Sequence, residues 1–130
     1  MSIKKKLVAG VLFGGLMLSA SMSIGAANPP AGSSTWSGKV GYGDVLVDTE
    51  YKTNPDAVTF ISFDSSPEYM KVWFTSKNLS DNVVSDKFLV PLGQGTYVST
   101  RAKYKDYVRL YASREHWGDQ AFQLSGKWKP

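Results

Sequence analysis

From residue 35 to residue 128 the chain repeats one pattern, short runs in which apolar and polar side chains alternate, each closed by Gly, Pro, Asn, Asp or Ser. About eight such runs follow one another at intervals of roughly 8 to 14 residues. A period of two matches the pleat of a strand, where neighbouring side chains point to opposite faces, and no run carries the longer period of a helix. Val, Thr, Tyr, Phe and Trp recur inside the runs, as they do in strands that pack one face. The pattern predicts an all-β fold: a small antiparallel β-sandwich of about 7–8 short strands, in one domain over residues 35–130.

The runs differ in where they should sit. Residues 35–42 form the first. In residues 44–51 (DVLVDTEY), Val45, Val47, Thr49 and Tyr51 alternate with Leu46, Asp48 and Glu50, which assigns the two carboxylates to a solvated face. Residues 57–64 (AVTFISFD), entered by the turn Asn54-Pro55-Asp56 and left by Ser65-Ser66-Pro67, are apolar on both faces and belong in the middle of a sheet. Residues 69–76 (YMKVWFTS) behave similarly, with Met70, Val72 and Phe74 opposite Tyr69, Lys71, Trp73 and Thr75. Pro91 should end the strand at 83–92 or push it to an edge, because proline donates nothing to a ladder. Gly93, Gln94 and Gly95 then read as a turn. Residues 96–105 read as a strand, with Val98, Thr100, Ala102 and Tyr104 opposite Tyr97, Ser99, Arg101 and Lys103. Lys105 and Asp106 are the only residues left to turn the chain into the run at 107–113, which predicts a tight hairpin. The last run, 121–128, sets Phe122, Leu124, Gly126 and Trp128 on one face.

Ahead of this domain the chain reads as a targeting segment. Lys4, Lys5 and Lys6 precede an uncharged stretch of 18 residues (LVAGVLFGGLMLSASMSI), and Gly25, Ala26 and Ala27 precede Asn28. That is the three-part layout of a secretory signal over residues 1–27, cut after Ala27, and it predicts a secreted, extracellular protein. Residues 28–34 (NPPAGSS) read as a flexible leader. No cysteine stands near the cut, so a lipid anchor attached there is excluded, and the domain must fold without disulfides. Secretion without cysteine fits a Gram-positive source. The remaining 103 residues hold 12 basic and 11 acidic side chains. With a balance so near neutral, the chain lacks the dense positive charge that nucleic-acid binding needs, and no nucleic-acid partner is expected.

The inventory of reactive groups is thin. His116 is the only histidine and there is no cysteine, which removes thiolate and multi-histidine zinc sites. No Asp-x-Asp-x-Asp-Gly loop is present for calcium. A Ser-His-Asp arrangement would have to use His116, in the loop Arg114-Glu115-His116-Trp117-Gly118-Asp119, and no nucleophile-elbow pattern accompanies it. Eleven carboxylates make some acid pair inevitable by chance, so a pair alone does not signal glycoside hydrolysis. The expectation is a non-enzymatic monomer with no catalytic residues, no metal and no cofactor.

Aromatic content is the more unusual feature, with 16 of the 103 residues after Ala27 being Phe, Trp or Tyr. Trp36, Trp73, Trp117 and Trp128 do not all fit one core by sequence alone. Trp117 lies in a polar loop beside Arg114 and His116, and Tyr97 shares a strand face with Arg101 and Lys103. Aromatics interleaved with cations can stack on sugar rings or sit at a membrane interface, although tyrosines also simply cover antiparallel sheets. The candidate binding residues are therefore Tyr97, Arg101, Arg114, His116 and Trp117.

Two resemblances bear on function. Trp73, the pair Gly93 and Gly95 before Tyr97, then Val108, Leu110 and Ala112, and the closing Ser125, Gly126 and Trp128 make residues 72–128 similar to a family of small, cysteine-free secreted proteins of Bacillus and its relatives. Where those proteins have an asparagine-rich loop after the alanine strand, this chain has Arg114, Glu115 and His116. That resemblance implies secretion and brings no activity with it. The elements Thr35-Trp36, Gly41-Tyr42-Gly43 and Tyr51 resemble the start of lactococcin-type bacteriocins, which implies inhibition of neighbouring bacteria. Together these readings predict an exoprotein that binds a cell envelope, through its glycan or membrane surface, or another macromolecule, with bacteriocin-like antagonism as its concrete form. The alternatives are a small cell-wall-active hydrolase using Asp/Glu residues and a structural matrix exoprotein.

Overall fold

The computed structural model describes residues 28–130; the segment read as a signal peptide lies outside the described residues. Eight strands follow in order: β1 (Ser34–Val40), β2 (Val45–Tyr51), β3 (Val58–Phe63), β4 (Lys71–Asn78), β5 (Val83–Pro91), β6 (Gln94–Ser99), β7 (Tyr107–Arg114) and β8 (Phe122–Lys129). They form two four-stranded sheets of order β1-β8-β3-β6 and β2-β7-β4-β5, with every pairing antiparallel. Pro130 and residues 30–33 sit at the start of β1, where Ser33 turns back on the Pro30 carbonyl and Lys129 Nζ donates to the Ala31 carbonyl at 2.7 Å.

All but one of the connections cross from one sheet to the other; only β4 and β5 form a hairpin. Its loop is organised by Asn78, whose side-chain oxygen accepts from the Ser80 and Asn82 amides. As expected, β3 and β4 are interior strands and β5, ending at Pro91, is an edge. The turn before β6 is tighter than the sequence suggests. Leu92 and Gly93 alone make it, with Gly93 at a φ of 86°, and Gln94 and Gly95 already pair with β3.

The hairpin expected at Lys105 and Asp106 does not form. Lys105 does turn the chain, at a φ of 73°, but β6 stops at Ser99 and pairs with β3, whereas β7 lies in the other sheet between β2 and β4. The backbone groups of the intervening residues find partners elsewhere: Thr100 N–H on Ala57 O, Arg101 N–H on Val84 O and Lys105 N–H on Lys52 O. Once those groups are satisfied, nothing favours continuing the strand.

The core lies between the sheets. Trp36 and Val40 from β1, Ile61 and Phe63 from β3, and Leu124 and Trp128 from β8 meet Val72, Phe74, Val90, Val108, Leu110 and Ala112 from the opposite sheet. The expected faces of β4 and β8 are the observed ones. In β2 they are not. The register slips between Leu46 and Asp48, so that Leu46 pairs with outward Tyr111 while Asp48 pairs with inward Leu110. Asp48 is thereby turned inward, and Trp128 Nε1 donates to its Oδ2 at 2.7 Å. Burial, the hydrogen bond that protonated Glu50 donates to Asp48 and the negative charge of Asp48 then push Glu50 above the ordinary carboxylate range, against an opposing hydrogen bond donated by Ser34. The face read as solvated is half-buried.

Trp36 closes the seam between β1, β8 and β3. Its Nε1 donates to the Ser62 carbonyl at 2.9 Å across the position of Gly126, and its ring meets Phe74 of the other sheet edge-on at 5.2 Å. A Cβ on Gly126 would lie 2.7 Å from Trp36 Nε1 and overlap the Ser62 carbonyl. Gly126→Ala is therefore expected to cost about 3 kcal/mol, because backbone must move to accept it, whereas Gly43→Ala, with open space around it, stays near neutral in urea unfolding. Equal stability of the two variants would contradict this packing. A second expectation concerns pH. A folded-state carboxyl with a raised pKa holds its proton where the unfolded chain has lost it, so Glu50 stabilises least above that range. Glu50→Gln should gain stability at neutral pH and lose that advantage as the pH falls through the raised carboxyl pKa to the ordinary carboxylate value, as measured by urea unfolding across pH.

Candidate functional site

The crossing connections sort the loops to two ends. Residues 30–33, 52–57, 79–82 and 100–106 lie at the end where β7 begins; residues 41–44, 64–70, 92–93 and 115–121 lie at the end where β7 finishes. This separates the five residues picked from the sequence. Arg114, His116 and Trp117 come together at the second end. Arg101 is at the first, paired with Asp86 at 3.0 Å and hydrogen-bonded to the Val83 carbonyl. Tyr97 is on the outer face of the β1-β8-β3-β6 sheet, its ring 5.2 Å from Phe60. Burial pushes the Tyr97 hydroxyl up, and the ring borders a shallow cavity of about 210 Å³ with Asn54, Asp56 and Lys129. Arg101 and Tyr97 therefore do not join the loop residues in one site. The strand face that was to align Tyr97, Arg101 and Lys103 ends at Ser99.

Beside the same cavity runs Lys52, which is buried and donates from Nζ to Asn54 Oδ1 at 3.3 Å. Burial pulls its ammonium below the usual lysine range, with Asp56 working in the opposite sense. Asn54 also accepts from the Asp56 amide and donates to the Pro130 carbonyl at 2.8 Å, which ties the β2–β3 crossing to the end of the chain.

At the second end the loop after β7 is braced from within. Asp119 Oδ2 accepts from the His116 amide at 2.9 Å, and the Asp119 amide donates to the His116 carbonyl at 3.1 Å. Gly118 supplies the left-handed step at a φ of 84°. Arg114 spans the base: its amide donates to the Gly41 carbonyl, its Nη1 to the Gln120 carbonyl, its Nε lies 3.8 Å from Asp119, and its guanidinium covers the Phe122 ring at 4.9 Å. These contacts hold up Trp117, which is 85% exposed. The His116 ring has Glu115 at 3.7 Å, and among the described residues no hydrogen bond joins it to a hydroxyl. Among the described residues no three His, Asp or Glu side chains converge as metal ligands.

Beside this loop a cleft of about 270 Å³ is lined by Tyr42, Asp44, Trp73, Lys87, Arg114 and Glu115. Lys87 Nζ is 3.3 Å from Asp44, and Trp73 stands on the outer face of β4 opposite Ser113 of β7. The outer face continues along the sheet: Tyr111 with Lys77 Nζ 5.1 Å from its ring centre, Arg109, and the edge-on pair Tyr51 and Tyr107 at 5.2 Å. Sequence reading finds Arg114, His116 and Trp117 from their loop but misses Tyr42, Asp44, Trp73 and Lys87. These come from a turn, β4 and β5, and only the pairing register assembles them.

The chain matches no protein-family profile, no curated protein and no solved structure.

An indole so exposed adds nothing to the core, so Trp117→Ala should leave unfolding stability within about 0.5 kcal/mol. Asp119→Ala, which removes the brace, should leave the core standing and raise the accessibility of residues 115–121 to proteolysis. A loss of several kcal/mol in Trp117→Ala would make the residue structural.

Proposed function

We propose that the protein is a secreted, non-enzymatic exoprotein that binds a bacterial cell envelope through the β7–β8 loop and the adjoining outer face of the β2-β7-β4-β5 sheet. The observation that carries this reading is Trp117, largely exposed to water on a loop whose backbone is braced by Asp119 and Arg114. An exposed tryptophan is unfavourable in isolation, and one held rigid loses little entropy on meeting a partner. The cleft beside it offers two further aromatic walls, Trp73 and Tyr42, with charged side chains between them. Residues 1–27, read as a secretory signal, support the location, and the resemblance to lactococcin-type bacteriocins makes growth inhibition the form of activity to look for.

A dose series of the purified protein on a panel of Gram-positive strains tests this, scoring growth and the protein recovered with washed cells. Saturable association that falls several-fold in Trp117→Ala is expected, and inhibition of growth in the same series would make the protein an antagonist. Absence of association from every strain would contradict the proposal, and release of soluble wall fragments would replace it with a hydrolase.

A further inference from the structure

Resting on the envelope-binding reading, we infer that the cleft beneath the β7–β8 loop holds a neutral sugar ring of a glycan, stacked against Trp73. Three observations select this occupant over an anionic polymer or a lipid surface. The first is shape. A space of about 270 Å³, lined by Trp73 and Tyr42, is smaller than a typical ligand pocket and suits one ring of a longer chain. The two aromatic side chains offer a limited apolar surface for the C–H face of a pyranose, set among polar groups that can meet its hydroxyls.

The second observation is charge. Both cations of the cleft already have carboxylate partners: Lys87 has Asp44 at 3.3 Å and Arg114 has Asp119 at 3.8 Å. Glu115 lines the wall as well. The cleft therefore presents donors and acceptors side by side with little net charge, which matches hydroxyl groups, since each both gives and accepts a hydrogen bond. A phosphate or carboxylate polymer would meet Asp44 and Glu115 at close range. The third is the rim. Asp64 and Glu68, in the residues joining β3 to β4, belong to the same end, as do the exposed rings of Tyr69 and Trp117. An anionic membrane approaching that end would meet these carboxylates beside Lys39, Lys71, Lys87 and Arg114, with no excess of positive charge there among the described residues to hold it.

Trp117 then serves as a second platform for a neighbouring ring of the same glycan, carried by the loop that also places Arg114 and Glu115 in the cleft. Two aromatic platforms on one braced frame favour a chain of several sugars over a monosaccharide.

The test is titration of the purified protein with cello-, chito- and maltohexaose, followed by calorimetry and tryptophan fluorescence, with polyphosphate and phosphatidylglycerol vesicles run alongside. Saturable binding of at least one hexasaccharide is expected, changing little between about 50 and about 200 mM salt, unlike the steep loss that follows counterion release from a polyanion. Trp73→Ala should weaken it ten-fold or more. Glu115→Gln and Tyr42→Ala, both at exposed positions, should weaken it several-fold and give the answer if Trp73→Ala does not fold. Failure to bind any of the three sugars overturns the inference, as does salt-sensitive binding to polyphosphate or vesicles in their place, or full affinity in the folded variants. Cell association that persists without sugar binding leaves the envelope reading standing and removes only the sugar. Loss of both removes the two together.

Discussion

The hydrogen bond from the Trp36 indole to the Ser62 carbonyl is the contact on which the rest of the sandwich depends. It passes over a residue without a side chain, Gly126, so that β1, β8 and β3 approach one another more closely than any other residue there would allow. The same ring packs edge-on against Phe74 and, at 6.2 Å, against Phe63, which joins the two sheets at their centre. Trp128, two residues beyond Gly126, repeats the arrangement with Asp48 as its acceptor. Each indole thus buries a large apolar surface and satisfies its one polar group, the condition under which tryptophan belongs in a core. A domain of this size without disulfides relies on such anchors.

With two tryptophans committed to the interior, the other two acquire their meaning from topology. Because nearly every connection crosses between the sheets, loops from distant parts of the chain gather at each end. The turn after β1 and the loop after β7 therefore meet around Trp73, which the register of β4 on β7 holds on the outer face. Strands supply the rigidity and loops the chemistry, a division that leaves room for the proposed binding surface without disturbing the core.

How much of this was legible in the sequence follows from which constraints are local. Alternation is local, so all eight strands, the central position of β3, the edge position of β5 and the inward face of β8 were readable from residue types. A bulge is not. One extra residue at Val47 reverses the faces of β2 from Asp48 onward, turning Asp48 toward Trp128 and half-burying Glu50, and no composition rule announces it. Pairing partners are not local either. Lys105 and Asp106 have the look of a hairpin turn, yet the backbone of residues 100–105 bonds to the β2–β3 crossing and to β5, and the two strands part to different sheets. The candidate site divides along the same line. Arg114, His116 and Trp117 share a loop and stay together, Tyr97 and Arg101 shared only an imagined strand, and the walls contributed by Tyr42 and Trp73 appear once the register is known.

The central claim is that the four tryptophans divide into two that hold the fold and two that meet a ligand. The most direct test is the ¹⁵N-indole NMR spectrum of the protein, recorded for solvent exchange and again with solubilised envelope glycan added. The account predicts that the indole N–H groups of Trp36 and Trp128, held by Ser62 and Asp48, exchange slowly and keep their positions, while the signals of Trp73 and Trp117 shift or broaden. Rapid exchange at Trp36 or Trp128, or a response to glycan at those two with Trp73 and Trp117 silent, would contradict it.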